Sequence, residues 1–206
     1  TYAAANAVWV ASTVLRVTVG VDYQRDDGQS NGYVELFPGF SLPNSFELDR
    51  DTVGVFAEAQ AEPLPGLTVL GSVRHDDADG ADAETTSRLG VIYAMSGGVT
   101  ELRANWGQGF KLPSFFALGN PLFGNPDLAP EKVTRFEAGY DQRFGGGIEA
   151  GFSLFASEYE DLVDFDFETF TNINRGRVDI NGVFLYLRLQ LAPNLLLGAD
   201  ATLSDI

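Results

Sequence analysis

Five carboxylates fall within nine residues at Asp76-Asp77-Ala78-Asp79-Gly80-Ala81-Asp82-Ala83-Glu84. Oxygen ligands at that density suit a hard cation such as Ca²⁺, which takes six to eight of them, and Asp76, Asp77, Asp79, Asp82 and Glu84 are the candidate set. The spacing is not that of an EF-hand, because no Asp or Asn stands two residues after Asp79 and no Glu occupies the twelfth position. A solvated acidic loop has the same composition. The single histidine, His75, precedes this run. Acid–base catalysis there would need a second acid or a nucleophile brought in by another loop, so no enzyme is expected. A third group is aromatic: Tyr33, Phe37, Phe40, Phe115, Phe116 and Phe123 sit among prolines and glycines in two long aperiodic stretches, with Asn125 beside them. Exposed rings next to polar groups make a surface that captures small molecules, and the same rings packed on one another would make a lid.

The elements that position these groups are strands. Apolar residues recur at every second position over stretches of about ten residues and hardly anywhere at helical spacing, which predicts an all-β chain. Leu15, Val17, Val19, Val21 and Tyr23 alternate with Arg16, Thr18, Gly20, Asp22 and Gln24. Val183, Leu185, Leu187, Leu189 and Leu191 alternate with Gly182, Phe184, Tyr186, Arg188 and Gln190, and Leu197 to Ser204 continues the pattern. Noisier copies run from Val53 to Ala61, Leu67 to Asp76, Arg88 to Ser96, Thr100 to Gly109, Thr134 to Arg143 and Ile148 to Tyr159, and Tyr2–Trp9 reads as one more strand. No run of about 18 apolar residues is present, so no transmembrane helix is expected, and Thr1–Ala11 lacks the basic start of a signal peptide. The chain has no cysteine, which excludes thiol chemistry and a disulfide framework. Its net charge of −16 would repel phosphate backbones, so nucleic acid is not an expected partner.

The connections alternate in length. Arg25–Arg50, Asp77–Thr85, Phe110–Glu131 and Asp161–Gly176 are long or medium, whereas Pro63–Gly66, Ser96–Gly98, Gly145–Gly147 and Ala192–Asn194 are tight. A meander with tight turns at one end and long loops at the other is the pattern of an outer-membrane barrel. Strands of ten to thirteen residues, at roughly 3.3 Å rise and about 45° tilt, match the apolar band of about 25 Å in such barrels. The non-lipid face would carry Arg16, Asp22, Glu58, Arg74, Arg88, Arg103, Asn105, Arg135, Glu137 and Asp141, which suits a wet lumen better than a dry core. The expected lumen charges Arg74, Arg88, Arg103, Arg135, Glu58 and Glu137 should form mutual pairs. Trp106, Phe110, Tyr23 and Tyr159 near one rim, with Trp9 and Phe144 near the other, read as interfacial girdle residues. The expected fold is an all-β, antiparallel up-and-down transmembrane β-barrel segment, residues 1–206 supplying about ten strands of a larger barrel. Membrane lipids and lipopolysaccharide are then neighbours, and the acidic loop could share divalent ions with the latter. The long links hold 15 Asp and Glu against four Lys and Arg, a net of −11.

Trp106-Gly107-Gln108-Gly109-Phe110-Lys111-Leu112-Pro113-Ser114, followed by Gly124-Asn125-Pro126-Asp127-Leu128-Ala129-Pro130-Glu131, resembles the TonB-dependent outer-membrane receptors. In that family a strand ends in a similar Gly-Phe-Lys/Arg-x-Pro, and an Asn-Pro-x-Leu-x-Pro-Glu segment opens the next. Gly71-Ser72-Val73-Arg74-His75-Asp76, Glu160-Asp161-Leu162-Val163 and Asn172-Ile173-Asn174-Arg175-Gly176-Arg177 are similar to further family segments, although Phe184 stands where relatives carry Glu. The order looks closest to the vitamin B12 and ferric-siderophore receptors. The resemblance implies a cell outer-membrane receptor and transporter that binds a scarce solute, a cobalamin or a ferric siderophore, at extracellular loops and imports it into the periplasm. It implies a plugged barrel of about 22 strands, to which residues 1–206 give about ten, with the plug domain and TonB as partners through parts outside these residues, and no cofactor beyond possible calcium in the loops. The prolines of the motif should shape and anchor its loop more than touch ligand. The alternative is a small self-contained outer-membrane channel or adhesin barrel.

Overall fold

A computed structural model describes residues 1–95 and 97–206 of the chain; Ser96, expected at a strand end and its turn, lies outside the described residues. Ten strands form one antiparallel sheet in which sequence neighbours are also spatial neighbours. They are β1 (Tyr2–Val10), β2 (Leu15–Ser30), β5 (Phe46–Leu64), β6 (Leu67–Ala78), β7 (Glu84–Met95), β8 (Thr100–Lys111), β9 (Glu131–Phe144), β10 (Ile148–Asp166), β11 (Thr171–Ala192) and β12 (Leu195–Asp205). A separate hairpin, β3 (Tyr33–Phe37) with β4 (Phe40–Pro43), occupies the β2–β5 connection, and a one-turn helix α1 (Phe115–Gly119) the β8–β9 connection. The sheet does not close on itself: β1 and β12 are its edges.

One parity runs through every ladder. Val19 opposes Ala7 and Ala57, and Leu187 opposes Ala150 and Ala199, so the apolar sets of β2 and β11 share one face. Residues opposite one another project to the same side, and a one-residue slip would reverse all of them. Val19, Val21, Leu185, Leu187 and Leu203 remain 40–65% exposed, and among the described residues the buried apolar side chains other than proline are Ala78, Ala117 and Leu128. An uncovered apolar face of this extent needs lipid against it.

Two expectations are corrected by the ladder. The long links Arg25–Arg50 and Asp161–Gly176 are largely strand, since β2 pairs with β5 out to Ser30↔Phe46, and β10 with β11 out to Asp166↔Thr171. Those extensions rise above the apolar band, where lipid no longer imposes an apolar outer face, and in β5 the large residues Phe46 and Leu48 stand on the inner face instead. Tyr159 is the second correction. It opposes Val133 and lines the polar face, whereas Trp106, Phe110 and Tyr23 lie on the apolar face as girdle residues should.

Candidate functional site

The packed part of the molecule lies at the long-loop end. Arg50, Asn120 and Asn172 are buried with Ala117, Leu128 and Pro130, and all six belong to residues 112–130 or to what those residues touch. This strap starts where Pro113 removes a donor and Ser114 caps α1, its hydroxyl accepting from the Ala117 amide at 3.1 Å. Arg50 of β5 donates to the Pro113 carbonyl at 2.9 Å and lies 4.9 Å over the Phe115 ring. Asn120 ends the turn: its Oδ1 accepts from the Leu122 amide at 2.9 Å while its Nδ2 donates to Asn44 Oδ1 at 2.7 Å. Gly124 follows in a space no side chain fits, because an added Cβ would meet three backbone atoms of Asn120 and Leu118 at 2.5–2.6 Å. Gly124→Ala should therefore displace the turn and cost about 1–3 kcal/mol, the usual penalty of overpacking. Chemical unfolding of the refolded receptor would check this.

The far end of the strap is clasped to the β10–β11 hairpin. Asn125 Nδ2 donates to the Asn172 carbonyl at 2.9 Å, and Asn172 Nδ2 to the Ala117 carbonyl at 3.2 Å. Asn174 and Ala129 exchange two bonds, the Ala129 amide donating to Asn174 Oδ1 at 2.8 Å and Asn174 Nδ2 to the Ala129 carbonyl at 2.9 Å. Glu131 accepts from the Val163 amide and from Lys111 Nζ, each at 2.9 Å. Two motifs 45 residues apart thus meet as one structure. Burial pushes the Glu131 carboxyl up, but the Val163 and Lys111 bonds outweigh it and hold the group below its ordinary value. A lowered folded pKa means stabilisation that is present above the unfolded value and lost as pH falls through the folded one. The protection of the Val163 amide against hydrogen exchange, its observed rate taken relative to the intrinsic rate at the same pH, should fall as pH drops below the ordinary Glu range, and Glu131→Gln should remove that dependence.

Along the strap runs a chain of rings. Phe46 of β5 meets Phe116 at 6.3 Å between centroids, Phe116 meets Phe123 at 5.4 Å, and Phe123 meets Phe165 of β10 at 5.8 Å, all edge to face. Phe165 in turn holds Phe167 and Phe170. Phe46 shares its face of β5 with Gly54 and Glu58, so this ridge lies on the polar, inner side of the rim. Of the residues singled out from the sequence, Phe116 and Phe123 belong to the ridge. Phe115 turns instead onto Arg50 and Gly28, and Asn125 is engaged in the clasp, where it also accepts from the Asp127 amide. Tyr33, Phe37 and Phe40 sit apart on the β3–β4 hairpin, where Phe37 and Phe40 stack at 4.9 Å and Tyr33 is 78% exposed. Phe165, Phe167 and Phe170 were not singled out, because the run Asp164-Phe165-Asp166-Phe167-Glu168-Thr169-Phe170 reads first as an acidic loop.

Of the five carboxylates, Asp76 and Glu84 stand opposite one another in the β6–β7 ladder but are taken up by different cations. Asp76 faces inward against Arg74, Asp77 is one position on and so faces outward, and Glu84 holds Lys132 at 2.9 Å. Among the described residues no three His, Asp or Glu side chains converge as metal ligands. His75 faces outward, its Nδ1 2.8 Å from Thr85 Oγ1.

Below the mouth the inner wall carries its charges in pairs. Arg74 spans Asp22 at 2.7 Å and Asp76 at 2.6 Å, Arg103 holds Asp141, and Arg135 holds Glu137 at 3.0 Å. Only Arg135 and Glu137 form one of the expected mutual pairs; Arg74 and Arg103 choose aspartates, and neither Arg88 nor Glu58 has an ion-pair partner among the described residues. Gly90 and Gly107 leave a trough of about 440 Å³ in this wall, edged by Arg88, Arg135 and Tyr159.

A family model described as TonB dependent receptor-like, beta-barrel, matches residues 1–204. The chain belongs to this family of TonB-dependent receptor barrels. Its apolar face is therefore outer-membrane wall, and its family is one of transporters and receptors, not enzymes. The vitamin B12 transporter BtuB of Vibrio vulnificus is 32% identical over 160 residues, 76% of this chain and 23% of that protein. BtuB of Photobacterium profundum is 40% identical over 119 residues, 51% of this chain and 20% of that protein. The chain thus spans about a quarter of the relatives it matches. Among solved structures, the Pseudomonas aeruginosa ferric enterobactin receptor PfeA in complex with enterobactin superposes with a TM-score of 0.81 at 17% identity, covering 100% of this chain and 35% of the other. The siderophore receptor PirA of the same organism gives 0.79 at 16%, covering 98% and 42%. Both show the fold. The strap joins β5 to the β10–β11 hairpin on the face of the sheet opposite the apolar one.

Proposed function

We propose that this chain is the wall and part of the extracellular mouth of a receptor that captures a corrinoid or a similar neutral-to-cationic chelate. The whole receptor imports it into the periplasm with energy delivered through TonB, a plug filling the lumen against the paired charges of the wall. One observation carries the reading: the aromatic ridge from Phe46 to Phe170 lies on the inner side of the rim, where a solute entering the lumen must pass. Rings in that position offer apolar area at low entropic cost to a bulky ligand. Charge selects among ligands. The long links carry a net of −11, which repels polyanions over about a Debye length, roughly 8–10 Å at physiological salt. That supports a cobalamin over a ferric catecholate, as the BtuB names of the relatives also do. Equilibrium binding of cyanocobalamin and of ferric enterobactin to the full-length receptor tests this. Cyanocobalamin should bind and ferric enterobactin should not; the reverse result overturns the reading.

A further inference from the structure

The tip of the β10–β11 hairpin is built more firmly than an exposed loop requires. Asp166 accepts from the Thr169 hydroxyl at 2.7 Å and the Thr169 amide at 3.2 Å, which closes the turn. Phe170 holds a φ of 54°, a left-handed conformation that a residue with a bulky side chain adopts only when its surroundings impose it. Lower in the hairpin, Asp161 (φ 56°) and Gly176 (φ 53°) lie between the Glu160↔Arg177 and Leu162↔Arg175 pairs, so both strands bend at one level. The result is a fixed arrangement of rings. Phe165 stands at 87° to both Phe167 and Phe170, with centroids at 5.0 and 6.0 Å, while its other contact, Phe123, ties it to the strap. Phe167 and Phe170 nevertheless remain 77% and 67% exposed.

The charges around these rings are predominantly negative. Residues 161–176 hold Asp161, Asp164, Asp166 and Glu168 against Arg175 alone, and Arg175 is held by Asp164 and Asp166 at 3.3 Å each. Elsewhere the chain puts its own guanidinium on aromatic faces: Arg50 on Phe115, Arg135 on Phe155 and Arg188 on Tyr186. Phe167 and Phe170 have no such partner among the described residues. Electron-rich ring faces, open to solvent and set among carboxylates, attract a diffuse positive charge, as quaternary ammonium groups are held in aromatic cages.

We propose that Phe165, Phe167 and Phe170 form a cation–π subsite that receives an onium or similarly delocalised cationic group of the solute. The inference rests on the ridge being ligand surface and adds the charge type of the group that docks at its outer end. The probe is choline, with 3,3-dimethylbutan-1-ol as its uncharged isostere, titrated by ligand-observed NMR against the full-length receptor. Choline should bind at least five-fold more tightly than the isostere. Phe167→Leu with Phe170→Leu should weaken choline five- to thirty-fold and leave the isostere within two-fold, in line with the usual strength of cation–π contacts. Both residues are exposed, so the barrel should fold unchanged, and Glu168→Gln offers a second variant that lowers choline affinity alone. Equal binding of the two probes, or choline binding indifferent to all three substitutions, overturns the subsite. Cyanocobalamin binding is measured separately, so a receptor that binds cyanocobalamin but not choline loses only this inference.

Discussion

Leu187→Arg in the full-length receptor should lower its unfolding free energy in phospholipid bilayers by about 2–4 kcal/mol, whereas Arg188→Leu should change it by less than about 1 kcal/mol. Leu187 sits midway along the apolar part of β11, opposite Ala150 and Ala199, and it projects into the hydrocarbon where an arginine finds no partner. Arg188, one residue on, points to the lumen and reaches Glu149 only at 3.5 Å with 57% of its side chain exposed. Urea titration of the folded receptor in vesicles measures both. The contrast between adjacent residues, more than either value, carries the information, because alternation puts one of them in hydrocarbon and the other in the wet lumen.

Arg74→Ala should cost about 3 kcal/mol, the lower end of the roughly 3–5 kcal/mol expected for breaking a buried pair, because the arginine itself is partly hydrated. Its guanidinium crosses the space left by Gly54 to bind Asp22 and Asp76, whose side chains are 12% and 6% exposed against 36% for Arg74. Removing the cation leaves two carboxylates facing one another in a confined lumen. Replacing all three groups together, Asp22→Asn and Asp76→Asn with Arg74→Gln, should recover most of the loss. A triple variant no more stable than Arg74→Ala would show that the trio is not coupled.

Strand number, parity and the split between tight turns and long links were legible in the sequence, because lipid imposes alternation on every residue it touches. Leu15 to Tyr23 shows it without an exception, and Val183 to Leu191 keeps a branched aliphatic residue at every outward position. Above the bilayer that constraint ends. The upper parts of β2, β5, β10 and β11 are ordered by ladder hydrogen bonds and by Asn172 and Asn174 meeting the strap, and such pairings leave no period to read. The motif around Asn125 to Glu131 was correctly expected to anchor its loop, yet its partner, the Asn172 segment, was visible only as a second resemblance. Phe165, Phe167 and Phe170 were hidden by the acids between them. Rings at every second or third position of an otherwise polar loop were the signal that could have found them.

The apolar face of this sheet is lipid-facing, and the ridge at its rim is the proposed entry surface for solute. These 206 residues contain no cysteine, so a single cysteine introduced among them is read against the receptor without it as the background. Labelling of the receptor in intact cells with a membrane-impermeant maleimide, at positions 167, 170, 185 and 187, with and without cyanocobalamin, tests both halves together. Positions 167 and 170 should label rapidly and be protected by cyanocobalamin, while 185 and 187 stay unlabelled in either condition. Labelling at 187 as fast as at 167 would contradict the membrane wall, and labelling at 167 and 170 unchanged by saturating cyanocobalamin would contradict the ridge as its site.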